Sequence, residues 1–235
     1  MPLIQAEDVV IDFPIYGTKA RSFKSLIANA ATGGAIAKDA AKRVVVRALD
    51  HVSFEFHEGD RIGLVGHNGS GKSTLLRVLA GIYEPRSGDL SIQGRVTSML
   101  SITLGMDMEA TGVENARIRG HVMGIPPRQM DGLIDEIAEF SGIGDYLHLP
   151  MRTYSTGMTM RLAFAISTCI NFDIILMDEW LSVGDADFAE KANLRLGEML
   201  NQARIVVIAS HDQILLKNLC NKIIHLERGK IVACE

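Results

Sequence analysis

A glycine-rich segment that ends in lysine and serine contains the residues whose types and spacing point most directly to chemistry. It runs from Gly66 to Ser73 and fits the pattern G-x-x-x-x-G-K-[ST]. Glycines let the backbone curve around an anion, and the N–H groups at the start of the following helix then point at phosphate oxygens. Lys72 would offer its charge to the β- and γ-phosphates, and the Ser73 hydroxyl would bind Mg²⁺. We call this segment the phosphate loop, and the predicted nucleotide-binding residues in and beside it are Gly66, His67, Asn68, Gly69, Ser70, Gly71, Lys72, Ser73 and Thr74.

Two acidic residues follow a second apolar run, Ile174–Met177. The run indicates a buried strand whose tip lies beside the phosphate loop. Asp178 is then placed to hold the metal ion, usually through a water, and Glu179 to orient or deprotonate an attacking water. A solvated acidic turn after a core strand is the alternative interpretation, and the neighbouring phosphate loop makes it the weaker one.

A histidine follows a further apolar run, Ile205–Ala209. In an open α/β sheet, ligands bind at the carboxyl ends of the strands. His211 is therefore predicted to reach the γ-phosphate with a hydrogen bond. A lone histidine is more often structural, but the two motifs above favour the functional interpretation.

Apolar runs and turn residues indicate the elements that must position these side chains. Strand patterns occur at Ile4–Phe13, Val44–Val46, Val52–Phe56 and Arg61–Val65, and a closing hairpin is expected at Ile223–Leu226 and Lys230–Val232. Residues 107–149 have a helical pattern with breaks at Pro126-Pro127 and Gly142, whereas the stretch Ala30–Ala37 is interpreted as flexible. Strands that alternate with helices favour an α/β fold with a largely parallel sheet.

Composition excludes several classes of protein. The chain has 235 residues, of which 47% are hydrophobic, and its net charge is −4, so neither a nucleic-acid binder nor a disordered chain is expected. Its cysteines, Cys169, Cys220 and Cys234, have no metal-ligand spacing and predict reduced thiols. No signal peptide opens the chain, and no apolar run approaches the roughly 18 residues of a membrane span, so we expect a cytoplasmic protein.

A family resemblance is indicated by the segment Tyr154-Ser155-Thr156-Gly157-Met158, which we call the signature segment. Together with the phosphate loop, Asp178-Glu179 and His211, this segment resembles the ATPase subunit of an ABC transporter, and the resemblance covers the whole chain. That family has Leu-Ser-Gly-Gly-Gln at this place. The variant found here is similar to the polysaccharide-export branch, including subunits that export O-antigen or mycobacterial galactan. Other stretches that fit this branch are Phe13–Tyr16, Arg21–Lys24, Phe23–Ala37, Ala110–Asn115, Thr159–Ala165 and Met177–Asp185.

The resemblance implies a fold and a division of the chain. It implies an α/β phosphate-loop ATPase core with a mostly parallel sheet, an N-terminal antiparallel β part and an inserted helical subdomain. Residues 1–235 would form a single ABC-type ATPase domain. Within it, residues 1–100 and 160–235 would be the core, and residues 101–159 the helical subdomain.

The resemblance also implies a mechanism that needs a second copy of the chain. Two copies would bind two ATP molecules, each with Mg²⁺, at their shared face. Ser155 and Gly157 of one copy would cap the γ-phosphate held by Lys72 of the other, with Tyr154, Thr156 and Met158 completing the signature segment. Asp185 would bridge the two sites.

The implied function is export of a lipid-linked polysaccharide across the inner membrane. The homodimer would lie on the cytoplasmic face, bound to a polytopic membrane subunit that its closing and opening would move. An ABC ATPase that exports another substrate, or a non-transport member acting on ribosomes or DNA, is the alternative. A small-molecule kinase would leave the signature segment and His211 unexplained.

Several positions stay open or depart from the family pattern. An aromatic ring near the first strand should stack on adenine, and Phe13 and Tyr16 both qualify, with Tyr16 slightly favoured. Ser101 stands where the family has a metal-contacting glutamine or glutamate, and serine is too short for the same reach. Residues 22–31 are either a gating helix against the membrane partner or a surface helix. Because the chain stops at Glu235, without the carbohydrate-binding domain of some export subunits, we expect that it does not select the glycan, unless such a domain has been removed.

Overall fold

The computed structural model describes residues 3–15, 35–38, 44–179 and 186–235. The predictions made for Tyr16, for Asp185 and for the helix at 22–31 therefore lie outside the described residues. The chain divides into two compact units. The first comprises Met1–Val96, Asp173–Trp180 and Arg204–Glu235, and the second comprises Thr97–Phe172 and Leu181–Ala203.

The described residues form both strands and helices. The strands are β1 (Leu3–Pro14), β2 (Ala35–Lys38), β3 (Val44–Phe56), β4 (Arg61–Val65), β5 (Ser87–Gln93), β6 (Val96–Ser98), β7 (Ile174–Asp178), β8 (Ile205–Ala209), β9 (Lys222–Glu227) and β10 (Lys230–Cys234). The α-helices are α1 (Lys72–Leu79), α2 (Gly112–Val122), α3 (Pro127–Asp131), α4 (Ile134–Ser141), α5 (Thr156–Ser167), α6 (Ala186–Gln202) and α7 (Gln213–Leu219). Short 3₁₀ turns span Gly144–His148 and Met151–Thr153.

An antiparallel sheet in the first unit has the strand order β2-β3-β1-β5. Strand β1 lies between two partners, so that Ile4 is paired with Phe56 of β3 and with Ile92 of β5. This sheet is the predicted N-terminal antiparallel part. Two expectations were wrong: Ala35–Ala37 is not irregular but lies in β2, and the two strand patterns at residues 44–46 and 52–56 form one continuous strand.

The second sheet has the order β10-β9-β4-β8-β7-β6 and is mostly parallel, as predicted. Strand β4 runs parallel to β8 and β9, and β8 runs parallel to β7. Ala209 is in register with both Leu64 and Asp178, so the carboxyl ends of β4, β7 and β8 lie at one edge. Strand β8 is buried along its whole length, which explains why it reads as a continuous apolar run.

Helices dominate the second unit. Its core includes a cluster of rings from three helices, in which Phe140 lies 6.1 Å from Phe164 and 5.6 Å from Phe188 between centroids. The predicted subdomain of residues 101–159 lies inside this unit. The unit extends further, to α5 and α6, because Phe164 and Phe188 pack with Phe140 and bring their helices into the same core.

The predicted helix breaks occur at residues that favour the start or the end of a helix. Helix α3 begins at Pro127, where the missing N–H of proline has no helical partner to lose. Helix α4 is followed by Gly142 in the left-handed region, with φ of 62°. None of the helices in the described ranges is both long and apolar enough to cross a membrane.

Candidate functional site

The phosphate loop joins a buried strand to an amphipathic helix, as the sequence predicts. Strand β4 ends at Val65, and helix α1 begins at Lys72. The helix forms against the core because Leu75, Leu76, Val78 and Leu79 are buried, whereas Arg77 is exposed. The N–H groups of the first helical turn therefore lie at the carboxyl-terminal edge of the sheet, in the arrangement that binds phosphate in many proteins.

Two glycines of the loop occupy places that no other residue fits. A Cβ on Gly66 would lie 2.3 Å from the carbonyl oxygen of Leu226 and 2.5 Å from Oγ of Ser70. Gly71 has φ of 115°, and a Cβ there would lie 2.9 Å from the carbonyl oxygen of Ala48. The glycine pattern is thus required by the close approach of neighbouring backbone as well as by room for a ligand.

Lys72 extends across the loop instead of into solvent. Its Nζ donates hydrogen bonds to the carbonyl oxygens of Gly66 at 2.6 Å and of His67 at 3.2 Å, and only 7% of the residue is exposed. Burial lowers the pKa of Lys72, and the charges of Asp178 and Glu179 offset part of that effect. An ammonium group whose charged form is disfavoured in this way gains from an additional anion, such as a phosphate group.

The turn between β9 and β10 holds the phosphate loop in place, a role that the sequence did not reveal. The N–H of Gly229 donates to the carbonyl oxygen of Ser70 at 2.8 Å, and the carbonyl oxygen of Gly229 accepts from the N–H of Asp50 at 2.9 Å. The sequence predicted the Arg228-Gly229 turn, but the contact of this turn with the phosphate loop depends on the order of the strands in the sheet. The hairpin turn, the phosphate loop and β3 are therefore joined through backbone hydrogen bonds.

The two predicted catalytic residues lie together. Glu179 follows β7 with φ of 70°, and its N–H donates to the carbonyl oxygen of Ala209 at 2.7 Å. The left-handed backbone costs about 1–3 kcal/mol for a residue other than glycine. Oε1 of Glu179 lies 3.9 Å from Nε2 of His211, and both side chains are more than half exposed. Asp178 is half-buried at the end of β7.

The loop that holds His211 is built from local side-chain hydrogen bonds. Oγ of Ser210 accepts from the N–H of Asp212 at 3.0 Å. The Asp212 carboxylate in turn caps α7 by accepting from the N–H groups of Ile214 and Leu215. His211 is therefore fixed between a buried strand and a capped helix.

A metal ion in this site would be held by few protein atoms. Among the described residues no group of three or more His, Cys, Asp or Glu side chains could hold a metal ion. Mg²⁺ bound with a nucleotide needs only one or two protein oxygens besides phosphate and water. The hydroxyl of Ser73 and the carboxylate of Asp178 supply that kind of oxygen. The charge of Asp178 also acts to raise the pKa of Lys72, against the larger effect of burial.

Phe13, one of the two candidates for stacking on adenine, already has an aromatic partner. It lies in β1, paired with Val46, and its ring meets Tyr83 edge-on with centroids 5.1 Å apart. The ring is only partly buried. Its role toward adenine stays a prediction, as does that of Tyr16.

The signature segment lies at the start of α5 in the second unit. Ser155 is the N-cap of this helix, and its Oγ accepts from the N–H of Met158 at 3.2 Å. Ser155 and Thr156 are exposed, whereas Tyr154, Gly157 and Met158 are half-buried. A hydroxyl and free N–H groups at a helix N-terminus can bind an anion.

Ser101 lies in the loop after β6. It is exposed, and its carbonyl oxygen accepts from the N–H of Leu104 at 3.1 Å, which closes a turn. The side chains of Met99 and Ile102 on either side are buried and anchor the loop within the second unit. Ser101 is thus presented at the surface of this unit.

Comparison with known proteins agrees with this arrangement. The sequence profile of the ABC transporter family matches residues 49–182. The chain is 44% identical to the O-antigen export system ATP-binding protein RfbE of Yersinia enterocolitica, over 96% of this chain and 94% of that protein. It is 40% identical to the teichoic acids export ATP-binding protein TagH of Bacillus anthracis, over 78% of this chain but only 33% of that longer protein. A solved structure of the ATP-binding subunit of an ABC transporter has the same fold, with a TM-score of 0.71 and 18% identity over 99% of this chain and 89% of that one.

Proposed function

Because the chain belongs to the ABC transporter family, we propose that it is the subunit whose ATP hydrolysis drives export of a lipid-linked polysaccharide such as O-antigen. The observation that carries the substrate class is the 44% identity to an O-antigen export ATP-binding protein over nearly the full length of both chains. The similarity to a teichoic acid export protein supports a second candidate, a polymer of that kind, on a shorter match.

The proposed chemistry assigns each residue of the site a task. The N–H groups of the phosphate loop and Lys72 bind the phosphates of ATP, and Ser73 and Asp178 hold Mg²⁺. Glu179 positions and deprotonates the attacking water, and His211 donates a hydrogen bond to the γ-phosphate. The 3.9 Å separation of Glu179 and His211 supports this, because both can approach the same terminal phosphate.

A second copy of the chain completes each site in this proposal. The exposed Ser155 and the N-terminus of α5 cap the γ-phosphate bound by the partner copy, and Asp185 bridges the two sites. Adenine stacks on Tyr16 or Phe13. The contact between Phe13 and Tyr83 favours Tyr16, because the Phe13 ring already has an aromatic partner.

The proposed assembly places the dimer against a polytopic membrane subunit on the cytoplasmic face of the inner membrane. Opening and closing of the dimer drives that subunit. The segment 22–31 would contact it as a gating helix, and deletion of this segment should then stop export while ATP hydrolysis continues.

The test uses Glu179→Gln, which keeps the shape of the side chain but removes the base. ATP binding should be retained, and turnover should fall by at least about 10²-fold. In cells that carry only this variant, the polysaccharide should disappear from the surface and accumulate inside. Hydrolysis is measured by phosphate release, and the polysaccharide is measured in surface and intracellular fractions.

Glu55→Gln is the matched control. Glu55 is also an exposed glutamate near a histidine, with 3.3 Å between Oε1 and Nε2 of His57, but it lies in β3. The Glu55→Gln variant should hydrolyse ATP at the normal rate. Normal turnover of Glu179→Gln would contradict the assignment of the base, and normal surface polysaccharide in cells with an inactive variant would contradict the export function.

A further inference from the structure

Residues Pro150–Arg152, just before the signature segment, are paired through the backbone with the chain around Ala110–Asn115 in the second unit. The N–H of Met151 donates to the carbonyl oxygen of Ala110 at 3.0 Å, and the N–H of Arg152 donates to that of Met108 at 2.9 Å. Thr111 and Pro150 form an isolated antiparallel bridge. The chain that leads into the signature segment is thus paired with the chain that leads into α2.

The start of α2 is itself held firmly. Oγ1 of Thr111 accepts from the N–H of Glu114 at 3.2 Å, and the Glu114 carboxylate accepts from the N–H of Thr111 at 2.8 Å, which completes a capping box. The buried Asn115 side chain donates to the carbonyl oxygens of Asp107, Ala110 and Thr111 and accepts from the N–H of Asp107. These bonds fix the backbone to which the signature segment is attached.

Tyr154 connects the signature segment directly to this fixed part. Its hydroxyl donates to the carbonyl oxygen of Tyr146 at 2.6 Å. Burial raises the pKa of Tyr154, so the phenol keeps the proton that it donates. A Cβ on Gly112 would lie 2.6 Å from the Tyr154 hydroxyl oxygen, so glycine at 112 is what lets the hydroxyl lie against the start of α2.

We propose that Tyr154 is a positioning residue whose hydroxyl ties the signature segment to the carbonyl group of Tyr146, beside the start of α2, and so fixes Ser155 for contact with the nucleotide of the second copy. This inference rests on the proposed function. The next residue along the chain is Ser155, the N-cap of α5, so a rotation at Tyr154 would move both the cap hydroxyl and the helix N-terminus. An apolar side chain such as leucine would fill the space of the ring but could not donate a hydrogen bond to the carbonyl group of Tyr146.

The experiment removes one oxygen atom, with Tyr154→Phe made in a Glu179→Gln background so that bound ATP is not consumed. The self-association of the protein with ATP, measured by analytical ultracentrifugation, should weaken roughly three- to tenfold, as expected for loss of one hydrogen bond. Binding of ATP to the phosphate loop of the isolated chain, measured at a protein concentration below that of dimer formation, should not change. In the background that keeps Glu179, kcat should fall with the weakened association.

Tyr146→Phe is the matched control, because it removes a hydroxyl from the neighbouring ring and keeps the carbonyl group that accepts from Tyr154. The two rings meet edge-on with centroids 6.3 Å apart. Association should stay at the value of the parent protein. If Tyr154→Phe also matches the parent, or if it only lowers the melting temperature, the inference is overturned while the proposed function stands. If the parent itself does not associate with ATP, both are overturned.

A second comparison uses the close approach at Gly112. The methyl group of Gly112→Ala would collide with the Tyr154 hydroxyl, but in Tyr154→Phe that oxygen is gone and the nearest contacts are those to Leu147 at 3.0 Å. Gly112→Ala should therefore weaken association more in the parent than in Tyr154→Phe. Equal effects in both backgrounds would mean that Gly112 and the hydroxyl act independently, which would overturn the inference.

Discussion

At the scale of single residues, the site depends on glycines that admit neighbouring backbone. Gly229 is the least expected of them, because it lies far along the chain from the phosphate loop. It has φ of 80°, and a Cβ there would lie 2.7 Å from the carbonyl oxygen of Ala48. Its N–H holds the carbonyl group of Ser70, a buried residue of the loop. Gly229 therefore acts on the loop from outside it.

We predict that Gly229→Ala weakens ATP binding although it touches no phosphate. The methyl group would push the turn away from Ala48 and loosen its hydrogen bond to Ser70, which should weaken binding roughly three- to tenfold. Fluorescence titration with a labelled ATP analogue measures the affinity. Gly81→Ala is the control, because Gly81 has a similar φ of 71° but nothing within 4 Å of its Cβ position. Both variants should lose about 1–2 kcal/mol of stability from the left-handed backbone, and an equal effect on ATP binding would contradict the role of Gly229.

The sequence predicted residues whose chemistry is carried by a local pattern. The phosphate loop, Asp178 and Glu179 could be located because glycine spacing and a strand that ends in acids are local signals. The hydrogen bond from Gly229 to Ser70 could not be predicted, because it exists only once β9 is placed beside β4. The contact of Tyr154 with Gly112 was missed for the same reason.

At the scale of elements, one buried carboxylate joins three parts of the antiparallel sheet. The side chain of Asp12 in β1 is 2% exposed, and it accepts from Nε of Arg47 in β3 at 2.9 Å and from Arg86, which precedes β5. Arg47 also donates to Asp50 at 3.2 Å, and Asp50 in turn faces Lys230 of β10. Burial by itself would raise the pKa of Asp12, but the hydrogen bonds from Arg47 and Arg86 outweigh it, and the net pKa is lowered.

We predict that Asp12→Asn destabilises the protein by about 2–4 kcal/mol at neutral pH, because two arginines lose a buried carboxylate. A carboxyl group with a lowered folded pKa stabilises the fold above its unfolded pKa of 3.8 and loses that effect as the pH falls through the folded value. The difference from the wild type should therefore shrink below pH 3.8. Urea unfolding followed by circular dichroism at several pH values measures it.

Asp8→Asn provides the comparison within the same strand. Asp8 pairs with His51, but its side chain is 68% exposed, so solvent screens the pair and little stability should be lost. If the two variants were equally stable at neutral pH, the charge network of Asp12 would contribute nothing to the sheet.

Element prediction succeeded where side chains alone decide the structure. The fully buried β8 was expected from its apolar run. Strand β2 was not, because Ala35–Lys38 has no strand pattern and is ordered by pairing with Val44–Arg47 of β3. Whether a segment forms a strand depends on the neighbouring strand that tertiary structure supplies. Small side chains give no sequence pattern that indicates such pairing.

At the scale of the whole molecule, the question is which copy supplies the signature segment to a given phosphate loop. In the proposed dimer, each loop is completed by the partner copy, so each site takes Lys72 from one chain and the signature segment from the other. A substitution at Gly157 would impair the signature segment and leave Lys72 of the same chain intact. The Cβ position of Gly157 has only Ser155 Oγ nearby, at 3.8 Å, so a side chain fits. An aspartate there would even favour α5, because it lies in the first turn of the helix.

We predict that a mixture of Lys72→Ala and Gly157→Asp chains hydrolyses ATP although neither variant does so alone. Aspartate at 157 repels the γ-phosphate across the dimer, and alanine at 72 removes the charge that binds it. In a mixed dimer, the intact Lys72 of one chain faces the intact signature segment of the other, so one site is whole. With random pairing and independent sites, activity should approach about one quarter of the wild-type value. If each chain used its own signature segment, no mixed dimer would contain a whole site, and phosphate release from the mixture would stay at the level of the separate variants.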